Sequence, residues 1–184
     1  VWMGMIQHGA CVLDARLSHS GELLASCAND YHVYLHNVAS RERVKLKVRE
    51  SLVRNLAFSP DGRWLAGGST LGNINIWQTD TGSLTSTLHL FDRLAATDLA
   101  FSTDSQSIAA GHFGQLSLVD IATRQVQKQL LSAHKSAYGL ALSPDLSILA
   151  VGSEGRISLW DLNSKQETTP FVGHQGGVWD LAFS

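Results

Sequence analysis

Residues 58–78 read FSPDGRWLAGGSTLGNINIWQ, and the rest of the chain repeats their pattern more loosely. Leu56, Phe58, Leu65, Ile74, Ile76 and Trp77 supply the apolar side chains of short strands, and SPDG and STLGN supply the turns between them. The turn chemistry is specific: Pro60 presets φ, Asp61 can bond its own backbone, and Gly62 tolerates φ > 0. Ile74, Asn75 and Ile76 alternate with the period of two of a β-strand, and strands joined by short glycine-containing turns make hairpins.

The same pattern recurs as LSHSGELLASCANDYHVYLHN from Leu17, FSTDSQSIAAGHFGQLSLVD from Phe101 and LSPDLSILAVGSEGRISLWD from Leu142, and it begins again at Phe183. The anchors Leu17, Phe58, Phe101, Leu142 and Phe183 are 41, 43, 41 and 41 residues apart. A fixed period of about forty residues carrying four short strands predicts a β-propeller, because helical solenoids of similar period would carry a helical pattern.

These features resemble the WD-repeat β-propeller family. The likeness is carried by Trp160-Asp161 closing one repeat, Gly173-His174 opening the next, and the small residues 65–69 after the SPDG turn, and it extends over essentially the whole chain. It implies an all-β fold of four-stranded antiparallel blades in a single domain, 1–184, with repeats near 8–48, 49–90, 92–131 and 134–172 and an incomplete one at 173–184. The strands of the first blade are expected near 11–18, 22–28, 31–37 and 41–49. Residues 1–7 are expected as the outer strand of a preceding blade, and 177–184 as the inner strand of a following one. Because a ring closes with roughly four to eight blades, the chain reads as a partial ring. The remaining blades are expected in a longer parent chain or, alternatively, in another copy.

Composition is that of a globular domain: 44% hydrophobic, 16% charged, net charge −2. No run approaches the roughly 18 apolar residues of a membrane helix, so no membrane partner is expected. The two cysteines, Cys11 and Cys27, fall on adjacent strands without facing each other, which predicts free thiols and a cytoplasmic setting.

Residues 41–49, RERVKLKVR, alternate so that Arg41, Arg43, Lys45, Lys47 and Arg49 share one face of the predicted outer strand, a stripe of roughly 26 Å. Such a stripe could meet an acidic partner. Lysines on a sheet edge also discourage pairing with other chains, and this reading is favoured. Nucleic acid is disfavoured, since the net charge is negative and no aromatic residue interleaves the stripe.

His8, Ser26 and Asp30 are the ingredients of a hydrolase triad, but the family resemblance implies a structural hydrogen-bonded tetrad instead, with His36 in the position of its tryptophan. Blade four retains His134, Glu154 and Trp160 of this network, with Val151 where the serine would be. Blades two and three replace it with Gly67, Leu71 and Trp77, and with Ala110, Phe113 and Val119, so apolar packing is expected there. No catalytic residue is expected. The eight histidines have no compact ligand spacing, and GGSTLG lacks the lysine of a phosphate loop. Neither a metal nor a cofactor is expected.

In this family, partners commonly bind one rim. The position four residues before each anchor gives Leu13, Arg54, Thr97, Tyr138 and Trp179. The position just before that of the family's hairpin Asp gives Asn29, Thr70, His112 and Ser153. The expected function is a non-catalytic scaffold that binds a protein or peptide there. The alternative is a sensor or regulatory segment of a larger signalling protein whose enzyme domain lies elsewhere.

Overall fold

The computed structural model describes residues 8–48, 51–90, 95–96, 98–112, 115–131, 137–168 and 170–183. Within them the chain is all-β and forms four consecutive four-stranded antiparallel sheets in an unclosed ring. Blade one comprises β1 (Val12–Leu17), β2 (Leu23–Ala28), β3 (Val33–Asn37) and β4 (Arg43–Leu46). Blade two comprises β5 (Val53–Phe58), β6 (Trp64–Ser69), β7 (Asn73–Gln78) and β8 (Leu84–His89). In blade three the strands are β9 (Asp98–Phe101), β10 (Ser107–His112), β11 (Gln115–Asp120) and β12 (Val126–Leu131).

Blade four has β13 (Gly139–Leu142), a continuous run β14 (Ile148–Asp161), and outer pieces β15 (Gln166–Glu167) and β16 (Phe171–Gly177). A straight run as long as β14 would span roughly 46 Å. Yet the Leu162 N–H donates to the Ser147 carbonyl at 2.8 Å, so β14 is a hairpin that doubles back at Gly155, whose φ is +69°.

Each turn after an anchor is built alike. The serine following the anchor is buried, and its hydroxyl accepts the N–H five residues on: Leu23 from Ser18, Trp64 from Ser59, Ser107 from Ser102 and Ile148 from Ser143. In blades two to four that hydroxyl donates to the turn aspartate, Asp61, Asp104 or Asp145, at 2.5–2.6 Å. The Ser143 hydroxyl, with the N–H and hydroxyl of Ser147, holds the Asp145 carboxyl down at about 2. The fourth turn residue has φ between 58° and 74° in all four blades, although it is Gly21, Gly62, Ser105 and Leu146 in turn. The turn geometry therefore persists where the glycine that favours it is absent.

The core lies between blades rather than within them. Alternation sends Leu65 and Trp77 of blade two toward Cys27, Val33, Leu35 and Leu46 of blade one. It sends Ala66, Ile74 and Ile76 toward Leu99, Ile108, Ala110 and Val119 of blade three. A third cluster joins Leu116, Leu118 and Leu130 to Leu140, Val151, Trp160 and Leu162 across blades three and four.

Polar clasps cross the same seams. Asp14 accepts the Leu56 N–H at 2.8 Å, Asp98 accepts the Leu140 N–H at 2.7 Å, and Asn55 donates to the Ala96 carbonyl at 2.9 Å. All three stand three residues before an anchor.

Two expectations are corrected. The basic outer strand is only Arg43–Leu46, because Arg41 sits in a turn at φ 64° and the Lys47 carbonyl is taken by the Trp77 indole N–H at 2.8 Å. Residues 173–177 belong to β16, which pairs with β14, and residues 178–183 form no strand. They lie beside β13 and β14 instead: the Val178 N–H donates to Ser153, and a Cβ on Gly139 would stand 3.0 Å from the Trp179 carbonyl. The expected strand at 1–7 lies outside the described residues.

Candidate functional site

The rim is formed where the inner strand of each blade begins and the second strand ends. Antiparallel pairing places Val53 opposite Ser69 and Gly139 opposite Gly152, so Arg54 with Thr70 and Tyr138 with Ser153 fall at equivalent corners of blades two and four, while Trp179, in no strand, lies against the blade-four corner. Arg54, Asn29 and Trp179 are exposed there, and Thr70 and Tyr138 are half-buried. Trp179 is 70% exposed and stacks on Tyr138 with ring centroids 4.4 Å apart and planes inclined by 27°. The Tyr138 hydroxyl donates to Glu154 at 3.3 Å.

The other rim candidates differ. His112 is 1% exposed, its Nδ1 lying 2.9 Å from the Ala95 carbonyl, and Ser153 is also buried, its carbonyl held by Val178. Both are framework rather than surface, because a neighbouring segment covers each: that of Ala95 over His112 and that of Val178 over Ser153. Leu13 is half-buried against the core between blades one and two. Thr97 lies outside the described residues.

The polar network of blade one is assembled. His8 Nδ1 lies 3.3 Å from Asp30 Oδ2, His8 Nε2 lies 2.8 Å from Ser26 Oγ, and Ser26 Oγ lies 3.0 Å from His36 Nε2. Asp30 also accepts the N–H groups of Gly9 and His32. An ionised carboxylate only accepts, so the His8 Nδ1 proton points to Asp30. The Ser26 hydroxyl can donate to one of the two Nε2 atoms and accept from the other, so each group is satisfied by the next. Burial, followed by the charges of His8 and Arg43, pushes the His36 pKa below its ordinary value. Tyr34 packs edge-on to His8 at 5.2 Å and carries the Arg43 guanidinium over its ring at 4.8 Å.

Ser26 is 3% exposed, and its hydroxyl is held between two imidazoles. Ser26→Ala leaves both Nε2 atoms without that partner. We expect it to lower stability by about 2 kcal/mol, read from the urea unfolding midpoint; a change below about 0.5 kcal/mol would contradict the relay.

Among the described residues, blade four does not assemble the expected network. Glu154 is exposed and bonded to Tyr138, while Trp160 Nε1 is buried with no hydrogen-bond partner among the described residues. Val151 provides no hydroxyl to link them, and His134 lies outside the described residues. In blade two the indole of Trp77 occupies the space a Gly67 side chain would need: a Cβ there would come within 2.8 Å of the ring. Ala110 and Val119 are fully buried in blade three, whereas Phe113 lies outside the described residues.

The basic stripe is shortened with its strand. Arg41, Arg43, Lys45 and Lys47 are exposed, but only Arg43 and Lys45 lie on β4; Arg49 is outside the described residues. Cys11 is exposed and Cys27 buried, both as free thiols, and burial pushes the Cys27 thiol up to about 12. Among the described residues no group of three or more His, Cys, Asp or Glu could hold a metal ion.

Reading by residue type alone missed one feature. The inner strands converge on a cavity of about 340 Å³ lined by Arg16, His19, Asp98 and Asp180 together with Leu56, Phe58 and Leu140. Arg16 pairs with Asp14 at 3.2 Å. Burial pushes the Asp98 carboxyl up to about 6, against the opposing N–H groups of Leu140 and Leu99 and the Arg16 charge. The recurring Asp or Asn three residues before an anchor was the available signal.

Residues 15–93 match the family model of the anaphase-promoting complex subunit 4 WD40 domain, and residues 125–161 match that of the WD domain, G-beta repeat. The U3 small nucleolar RNA-associated protein 21 homolog of Schizosaccharomyces pombe is 28% identical over 115 residues, covering 60% of this chain and 12% of that protein. Periodic tryptophan protein 2 of Arabidopsis thaliana is 32% identical over 148 residues, covering 69% of this chain and 16% of that protein. The WD repeat-containing protein SL1-17 of Schistosoma mansoni is 29% identical over 122 residues, covering 65% of this chain and 40% of that protein. The chain thus spans well under half the length of each of these three relatives.

Proposed function

We infer from membership of the WD-repeat β-propeller family, to which this chain belongs, that its blades serve as a non-catalytic scaffold binding a protein or peptide on the rim. The observation that carries this reading is the split between framework and rim. The strands bury their alternate residues between blades, while Asn29 and Arg54 at the corners of blades one and two, and Trp179 stacked on the corner residue Tyr138 of blade four, stay exposed and differ in chemistry. Arginine, tyrosine and tryptophan are the side chains most enriched among residues that dominate interface energy. One matching family model is named for a subunit of the anaphase-promoting complex, which supports a role in assembly here.

The test is affinity capture from cell extract with the chain and with the triple variant Arg54→Ala, Tyr138→Ala, Trp179→Ala, quantified by mass spectrometry. Specific partners are expected to fall by about tenfold or more in the variant, with an unchanged melting temperature. They should persist with Lys45→Ala, Lys47→Ala. Partners retained by the triple variant would sink the rim reading.

A further inference from the structure

Within the rim reading, on which it rests, we propose that Tyr138, Trp179 and Glu154 form a preorganised site for the arginine side chain of an extended peptide. Three observations meet at one corner. The indole of Trp179 is 70% exposed although it is stacked on Tyr138, so an aromatic face stands open to solvent. Its position is fixed from below: a Cβ on Gly177 would lie 3.1 Å from the Trp179 ring and 3.2 Å from that of Tyr138, so both rings close onto bare backbone. The exposed carboxylate of Glu154 is bonded to the Tyr138 hydroxyl, which places a negative charge at the edge of the pair.

An electron-rich ring face with a carboxylate at its margin attracts a cation, and tryptophan is the strongest such face. Arginine fits better than lysine, because its planar guanidinium stacks on a ring while its N–H fork addresses a carboxylate. Both rings are already in contact, so binding orders little that is not already ordered. The corner lies where β13 begins and β14 turns at Gly155, so a peptide running along the rim would present one side chain to it.

The probe is a blocked pentapeptide with arginine at its centre, compared with the same peptide carrying citrulline, a neutral isostere. Nitrogen-labelled chain is titrated with each, and the indole N–H of Trp179 is followed by NMR, assigned through its absence in Trp179→Phe. The arginine peptide is expected to shift this signal and to bind about tenfold more tightly than the citrulline peptide. Glu154→Gln should remove most of that difference, with the indole signals of Trp77 and Trp160 unchanged as the measure of an intact fold. Equal binding of the two peptides at Trp179 would overturn the arginine assignment and leave the rim reading standing. Failure of the arginine peptide to shift the signal at any soluble concentration would overturn the assignment too, while the capture experiment decides the rim reading independently.

Discussion

Trp77→Ala is expected to lower the stability of the chain by about 4 kcal/mol, the largest effect of any substitution considered. Among the described residues Trp77 is the largest fully buried side chain, and it sits in the seam between blades one and two, among Ala25, Val33, Leu35, Leu46, Val53 and Leu65. Truncation empties the volume that Gly67 leaves open for the ring, and no neighbouring side chain branches from that glycine to refill it. It also removes the indole donor from the Lys47 carbonyl, which ties the end of blade one's outer strand to blade two. Since a domain's whole stability is about 5–15 kcal/mol, a loss of this size should be visible as partial opening.

The opening should be local. In a repeat architecture each unit depends on its neighbours' interfaces, so amide hydrogens of β1–β4 should exchange faster in Trp77→Ala while those of β9–β12 change little. Trp77→Phe retains most of the ring and loses the hydrogen bond, so it should cost about 1–2 kcal/mol. Urea midpoints of the two variants separate these parts. A loss below about 1 kcal/mol for the alanine variant would mean that the seam is not packed as described.

Between pH 4 and 6.5, Asp98 is expected to make stability fall as pH rises. Its carboxyl is held at about 6 in the folded chain against an ordinary value of 3.8, so within this window the folded state keeps a proton that the unfolded state has lost. The contribution is therefore fully present below about 4 and lost as pH rises through 6. A displacement of about two pKa units corresponds to roughly 3 kcal/mol. Depressed groups act in the opposite sense: Asp30 and Asp61 lose stability as pH falls toward their lowered values, and His36 loses it as pH falls below its ordinary 6.5.

The measurement is accordingly a difference. Urea midpoints of the chain and of Asp98→Asn are compared from pH 4 to 7.5. The variant should gain about 2–3 kcal/mol on the parent across that range, because asparagine can still accept the Leu140 N–H and carries no charge to bury. A difference that stays constant with pH would exclude the elevated carboxyl.

Much of this molecule is local in origin. The alternation around Ile74 and Ile76, the serine and aspartate of each turn, and the period near forty act over a few residues at a time, so they were readable in order. The rim corners were readable too, since antiparallel pairing fixes which end of a strand meets which. The tetrad ingredients of blade one were visible because His8, Ser26, Asp30 and His36 keep the family spacing.

The sequence by itself thus determined the strand composition, the number of complete blades, the turn chemistry and which strand ends meet at the blade corners. Tertiary structure alone decided which polar side chains at those corners are covered. His112 and Ser153 resemble their exposed counterparts in spacing, yet a neighbouring segment buries them. Trp160 keeps its place in the motif, but Val151 removes its link and Glu154 turns to Tyr138 instead. The clasp from Asp98 to Leu140 and the stacking of Tyr138 on Trp179 join residues 42 and 41 positions apart. Such contacts depend on how one blade leans on the next, and no local pattern of residues encodes that angle.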